Sequence, residues 1–262
     1  MITALYSAAT GMEAQETNIN VIANNLANVN TTGFKRSRAN FQDLLYQNSR
    51  VAGSSASADT EVPTGIQVGL GTRTAAVEKV YTVGDFEQTG SELDLAIEGG
   101  GFFQVNLPNG EIAYTRDGGL KKDSAGRLVT ADGNPLEPEI VIPENATTIA
   151  IGKDGTVVAY LDGESSGIEI GRLELARFGN PGGLKSMGGN LMQATASSGD
   201  PLLGTPGSTG FGSLAQGFLE GSNVSIMKEM INLIAGQRAY EINSKAVKAA
   251  DEILQQTNQM VA

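Results

Sequence analysis

From residue 222 to the end of the chain one apolar position recurs at an unbroken seven-residue interval: Ile226, Leu233, Tyr240, Val247, Leu254 and Val261. Ala239, Ala246, Ile253 and Met260 form a second row beside it, and Ala235, Ile242 and Ala249 widen the face. Arg238, Glu241, Lys245, Lys248, Asp251, Glu252 and Gln255 fill the opposite side. Such a pattern predicts one long amphipathic helix, roughly 50 Å from end to end. Gly236, Asn243, Ala250 and Thr257 run between the apolar rows, small enough to admit a second helix at close range. A stripe of that length cannot be covered by a compact domain and calls for a partner helix. The other end of the chain repeats the spacing with Leu5, Met12, Ile19 and Leu26, widened by Ile2, Ala8, Ala9, Ile22 and Ala23. This predicts a first helix to about Ala27, closed by a left-handed cap at Gly33. Asn18, Asn20, Asn24 and Asn25 are poor helix formers, so its helicity must come from packing. The pattern alone leaves two readings open: a coiled-coil dimer helix, or two chain ends that form one discontinuous element.

Between the helices the period changes. Residues 46 to 65 are dominated by Ser, Ala, Gly and Thr around Gly53-Ser54-Ser55-Ala56-Ser57-Ala58, which predicts a linker. From 66 to 215 short alternating runs (Ile66, Val68 and Leu70; Leu93, Leu95 and Ile97; Ile149 and Ile151; Ile168 and Ile170) are divided by turn dipeptides. Those dipeptides are Asn109-Gly110, Asp117-Gly118, Asp132-Gly133, Asp154-Gly155 and Asp162-Gly163, and together they predict antiparallel β-structure. Gly179 to Ser213 reads as an extended return path. The predicted fold is α+β: a discontinuous, coiled-coil-like pair of terminal helices with a central antiparallel β domain. Its segments are 1–45 and 216–262 for the helical core, 46–65 for the linker and 66–215 for the β domain.

Composition narrows the chemistry. The chain has no Cys and no His, which removes disulfides, thiol nucleophiles, Cys/His zinc sites and imidazole bases. Its net charge of −11 is carried by the middle, with 10 basic against 22 acidic residues over 51–220, a balance that repels nucleic acid and anionic lipid. No stretch has the length of a transmembrane helix, and the first residues lack the pattern of a secretory signal. Gly99-Gly100-Gly101 is followed by no Gly-Lys-Ser/Thr and reads as a tight bend, not a phosphate loop. Asp123-Ser124-Ala125-Gly126 lacks a calcium loop's alternating ligands and reads as a turn. Glu92 and Asp94 share a strand face without a further catalytic group. No catalytic, cofactor or metal residues are expected. Lys35, Arg36 and Arg38 form a basic cluster that is either solvated or paired with acids of a neighbouring copy.

Two long motifs then suggest a family. Ala23-Asn24-Asn25-Leu26-Ala27-Asn28-Val29-Asn30-Thr31-Thr32-Gly33-Phe34-Lys35 and Gln237-Arg238-Ala239-Tyr240-Glu241-Ile242-Asn243-Ser244-Lys245-Ala246-Val247 resemble signatures of the axial proteins of the bacterial flagellum, its rod and hook subunits. Gln216-Gly217-Phe218-Leu219-Glu220, Gly101-Phe102-Phe103-Gln104-Val105 and Ala113-Tyr114-Thr115-Arg116-Asp117-Gly118 are similar to further segments of that family, so the resemblance spans the chain. Size and the extra stretch at 46–65 favour a distal rod subunit; the alternatives are a proximal rod or hook-type subunit, or a coiled-coil surface adhesin. The resemblance implies a non-enzymatic subunit without cofactors, exported through the flagellar secretion channel without a cleaved signal. It would polymerise across the periplasm into a hollow tube that transmits torque. The implied partners are further copies of itself, proximal rod and hook proteins, the surrounding L- and P-rings and the export apparatus, with no nucleic acid and no membrane insertion. Leu5, Met12, Ile19, Leu26, Leu233, Gly236, Tyr240, Val247, Ala250 and Leu254 are the expected interface residues.

Overall fold

The computed structural model describes residues 2–51, 55–57, 60–61, 63–161 and 167–261. A long helix stands at each end, α1 (Ile2–Ala27) and α2 (Ile226–Val261), with antiparallel β-structure between them. The chain divides into a helical unit (1–26, 37–78 and 225–262) and a β-rich unit (27–36 and 79–224). This division cuts across the segments read from sequence, because pairing and side-chain bonds, not composition, group the residues.

In the helical unit α1 and α2 touch at three levels. A Cβ on Gly11 would lie 2.8 Å from Asn243 Nδ2, a Cβ on Gly236 would lie 3.3 Å from Ile19 Cγ1, and Asn25 Nδ2 donates to Glu229 Oε2 at 3.4 Å. These contacts run in opposite order along the two helices, which are therefore antiparallel. The fully buried positions of α1 are Ala8, Ala14, Ile22 and Asn25, while Leu5, Met12, Ile19 and Leu26 of the predicted stripe are half-buried. Gly236 thus leaves room for the Ile19 side chain between the two helices. Strand Ser37–Asp43 pairs with Thr72–Lys79, which carries residues expected in the β domain into the helical unit.

The stretch expected to be a linker is a β-ribbon at its base. Tyr46–Arg50 pairs antiparallel with Ile66–Gly69, Tyr46 opposite Gly69, and all of Tyr46–Arg50 is exposed. Gln47 stands opposite Val68 and Asn48 opposite Gln67 in this pairing.

The β-rich unit has a five-stranded antiparallel sheet in the order Leu136–Glu137, Phe103–Asn106, Ile112–Thr115, Leu191–Gln193, Lys185–Gly188. A three-stranded sheet joins Ala146–Ile151, Thr156–Leu161 and Ile168–Arg172. The expected return path over 179–213 thus supplies sheet strands, Ser213–Gln216 pairs with Leu95–Glu98, and Phe218–Glu220, expected to belong with the last helix, pairs with Phe86–Gln88. Strand alternation divides the core. Phe103 joins Leu95, Ile97, Leu128, Leu136, Val157 and Leu175 in one cluster, and its neighbour Phe102 joins Tyr114, Phe178 and Met192 in another. Edge-to-face contacts link Phe102 to Tyr81 at 5.5 Å and Phe178 to Tyr114 at 4.7 Å.

Gly110, Gly133 and Gly155 occupy left-handed turns as their dipeptides predict. Gly118 does not: it lies against the strand Leu95–Glu98, where a Cβ would meet Leu95 O at 1.6 Å, so that glycine serves close approach. The Asp162-Gly163 dipeptide and most of the Gly53–Ala58 run lie outside the described residues.

Candidate assembly site

Four of the five motif segments, all but the one at 237–247, meet inside the β-rich unit around the buried carboxylate of Glu220. Its Oε1 accepts from Lys35 Nζ at 2.5 Å and from the Gly84 N–H at 3.0 Å. Its Oε2 accepts from Arg116 Nε at 2.9 Å and Nη2 at 2.8 Å. Lys35 also donates to Thr82 O at 2.8 Å. Arg116 Nη1 reaches Gly99 O at 2.8 Å and Gly101 O at 2.7 Å, and Nη2 reaches Ile97 O at 3.3 Å. The Gly99-Gly100-Gly101 bend is therefore a receptor for a buried guanidinium, with Gly99 and Gly101 at φ of 123° and 143°. Two cations face one carboxylate, and backbone carbonyls take up the remaining donors, the condition under which buried charge is tolerated. Burial lowers the pKa of Lys35, an effect that Glu220 opposes. Lys35 is consequently neither solvated nor available to a neighbouring copy, contrary to the surface cluster expected from sequence; Arg38 is exposed and pairs with Glu78.

The backbone completes this clamp. Gly33 N donates to Glu220 O at 2.7 Å, Arg36 N to Asn223 Oδ1 at 2.8 Å, and Asn223 Nδ2 to Val80 O at 2.8 Å. Gly33 has the left-handed φ of 65° expected of a cap, and a Cβ there would lie 2.7 Å from Asp117 N. Phe34 lies under Lys79, whose Nζ is 5.2 Å from the ring centre. Asn28 accepts from Thr31 N–H and Oγ1, closing the turn after α1. Beside the clamp a cleft of about 230 Å³ is lined by Tyr81, Phe102, Phe178, Arg177 and the triglycine bend. Lys35 and Arg116 also line it, and no carboxylate is among its lining residues.

In the helical unit Leu5, Met12, Ile19, Leu26, Leu233, Val247, Ala250 and Leu254 are half-buried and Gly236 is buried, whereas Tyr240 is exposed. Of the C-terminal signature, Gln237 and Arg238 are exposed, Arg238 bonding Glu241 Oε2 at 2.9 Å, and Ala239 is half-buried. Of the N-terminal signature, Asn24 and Ala27 are exposed and Asn25 is buried. The first signature thus has partners within its own chain, while most of the second points away from it. A second apolar surface on α2, formed by Met227, Met230, Ile231, Ile234, Ile242 and Ile253, is 49 to 73% exposed. Sequence reasoning singled out Lys35 and the three glycines but missed Arg116 and Glu220 as their partners. The available signal was one Arg and one Glu, the single basic residue of 113–118 and the single charged residue of 216–220.

Three stretches match described families: residues 5–35 the flagella basal body rod protein, 96–159 the D1 domain of flagellar hook protein FlgE/F/G, and 215–260 the C-terminal part of the flagellar basal body rod FlgEFG protein. The chain is 51% identical over 260 residues to flagellar basal-body rod protein FlgG of Buchnera aphidicola subsp. Schizaphis graminum, covering 99% of this chain and 100% of the relative. It is 49% identical to the protein of that name from Borreliella burgdorferi, covering 97% of each. It is also 49% identical to that from Caulobacter vibrioides, covering 98% of each.

Proposed function

The chain belongs to the family of flagellar basal-body rod proteins FlgG and is a structural subunit of the distal rod, not an enzyme, and from that premise we propose how it assembles. Copies of α1 and α2 pack in a coiled-coil manner as the inner layer of a hollow helical tube, with the acidic β-rich unit outward. Head-to-tail contacts that do not close produce such a filament. The tube spans the periplasm, carries torque from motor to hook, and is met by proximal rod, hook and L- and P-ring proteins. Its subunits arrive through the export apparatus without a cleaved signal. Leu5, Met12, Ile19 and Leu26 on α1, and Leu233, Tyr240, Val247 and Leu254 on α2, line the contacts between copies, with Gly236 and Ala250 setting the spacing. The terminal segments 1–45 and 216–262 act as the tube core, 46–65 as the rod-specific stretch, and 66–215 as the outer domain.

The observation that carries this reading is the exposed apolar face of α2. An apolar surface of that extent is rare on a free monomer and marks a surface made to be covered, and the acid-rich middle of the chain keeps the subunit soluble until it is. Electron microscopy of the purified full-length chain after prolonged incubation tests it. Unbranched hollow tubes are expected; a fixed dimer or trimer at every concentration would sink the proposal.

A further inference from the structure

The helical unit holds an open groove of about 350 Å³, and no described residue of α2 lines it. On α1 it is lined by Tyr6, Thr10, Glu13 and Thr17, which fall on one helix face over about three turns. Across from them stand Leu44 and residues 72–74. The two sides are joined. Thr72 N–H donates to Thr10 Oγ1 at 3.4 Å, Ser7 Oγ donates to Gly69 O at 3.4 Å, and a Cβ on Gly71 would lie 2.1 Å from Thr10 Oγ1. Glycine at 71 is what lets the chain come this close. Glu13 is exposed in the groove and has no ion pair among the described residues, whereas Arg73 donates to Gln42 Oε1 at 3.1 Å.

A surface that suits this groove lies on α2. Met227, Ile231, Ile234, Arg238 and Ile242 fall within about 80° of one another around the helix, roughly opposite Glu229, Gly236 and Asn243, which face α1. Arg238 is therefore a cation in the middle of the exposed apolar face. Its bond to Glu241 is an exposed pair three residues apart, which holds it weakly. We propose that the groove of one copy receives this face of α2 from a second copy, running antiparallel to α1 with Arg238 opposite Glu13. That register sets Ile234 towards Thr17 and Ile242 towards Thr10, about one helical turn to either side. An amphipathic helix seated in a groove through side chains one turn apart is a general mode of recognition. Copies related by rotation about a tube axis and translation along it keep, for helices near that direction, the antiparallel sense that α1 and α2 have within one chain. Groove and face lie on different parts of the molecule, so every copy both receives and is received, and the contact propagates without closing. The inference rests on the assembly reading above and names the seat of the α2 face.

The chain has no cysteine, so introduced thiols report without background. Full-length chains carrying Thr17→Cys and Ile234→Cys are mixed and oxidised, and chain-to-chain disulfides are followed on non-reducing gels. The mixture should cross-link at least about tenfold faster than either chain alone, because the contact joins unlike surfaces. Glu13→Arg in the Thr17→Cys chain, or Arg238→Glu in the Ile234→Cys chain, should slow the reaction at least about fivefold, and the two together should return it to within about threefold of the original. Damage to the fold would not be repaired by adding the second change. The groove assignment is overturned if single chains cross-link as fast as the mixture, if neither charge change alters the rate, or if the combination is no faster than its slower member. Micrographs of the same samples separate the two readings: tubes without the mixed disulfide refute the groove alone, and the mixed disulfide without tubes refutes the tube alone.

Discussion

Leu95, Ala96 and Ile97 in the β-rich unit are 0% exposed, while Ile231, Ile234 and Ile242 in the helical unit keep 62, 57 and 65% of their surface. The same residue types meet opposite fates because the two units solve burial differently. Sheet strands alternate faces, so a few short strands and their turns enclose side chains on both sides. A long helix offers more apolar circumference than one antiparallel partner can cover. Among the described residues, the buried apolar side chains of the helical unit are Ala8, Ala14 and Ile22. The β-rich unit encloses its apolar side chains within one chain, whereas the helical unit leaves a long apolar face of α2 open.

The sharpest way to break that contrast is at the clamp. Glu220→Ala leaves Lys35 and Arg116 buried without their counter-charge, and loss of one partner of a buried pair costs about 3–5 kcal/mol. Urea unfolding of the monomer should lose that much from the transition of the β-rich unit, with the helical unit's transition unaltered. Replacing all three together by apolar residues of similar volume (Lys35→Met, Arg116→Met, Glu220→Leu) should cost clearly less than Glu220→Ala, since no buried charge is stranded. Equal losses in the two variants would show that shape, not charge pairing, makes the clamp.

A second probe of the β-rich unit uses pH. Burial pushes the Tyr81 hydroxyl from 10.0 up to about 12. The folded state therefore holds a proton that the unfolded chain releases near pH 10, and the resulting stability is present below pH 10 and lost as pH rises towards 12. Two pH units correspond to about 2–3 kcal/mol. Lys35, whose pKa burial lowers, contributes in the opposite sense at alkaline pH and cancels when variants are compared. Tyr81→Phe should thus flatten the alkaline decline. Urea midpoints at pH 8 and pH 11 that fall equally in both proteins would contradict this.

In the helical unit the corresponding effect is smaller and of contested sign. Gly236→Leu gains up to about 1 kcal/mol of helix propensity but places side-chain bulk where even a Cβ is 3.3 Å from Ile19 Cγ1. Overpacking a close contact costs roughly 1–3 kcal/mol, so packing should win, and the helical ellipticity of the monomer should melt earlier. A later melt would mean that Ile19 moves aside freely.

Period and turn chemistry made both helices and most of the β-structure legible from sequence. Ile226–Val261 and Ile2–Ala27 follow directly from heptad spacing, and Gly33 from its place after a run of Asn and Thr. Pairings that depend on distant partners were not legible. Nothing local tells that Tyr46–Arg50 bonds Ile66–Gly69, or that Phe218–Glu220 belongs with Phe86–Gln88 rather than with the helix it precedes. Lys35 was misread for the same reason: a lysine beside two arginines looks solvated until a carboxylate 185 positions later closes on it. The helix faces show the converse limit. Spacing identified apolar rows but not which of their members are buried: Ala8, Ala14, Ile22 and Gly236 are buried, while Leu5, Met12, Ile19 and Leu233 are half-buried and Ala9 and Ala23 are exposed.

The smallest change in the monomer should accompany the largest change in assembly. Ile231 and Ile242 are exposed on α2, so replacing both with Ser removes little buried area within the chain. Ile and Ser differ little in helix propensity, and surface substitutions of this kind usually stay within about 0.5 kcal/mol. Monomer unfolding should therefore be indistinguishable from that of the unchanged protein. In a filament the same two side chains would be buried against neighbours, each contributing about 1.5–3 kcal/mol per copy, and the deficit recurs at every subunit added. The critical concentration for tube formation should then rise by at least about a hundredfold, read by sedimentation of polymer from a concentration series. The β-rich unit supplies the control, since Leu202 and Leu203 are also exposed there at 62% and 53%. Leu202→Ser with Leu203→Ser should leave the critical concentration within about threefold if the helical faces carry assembly. Should the Leu pair disrupt tubes and the Ile pair spare them, the roles of the two units would have to be exchanged.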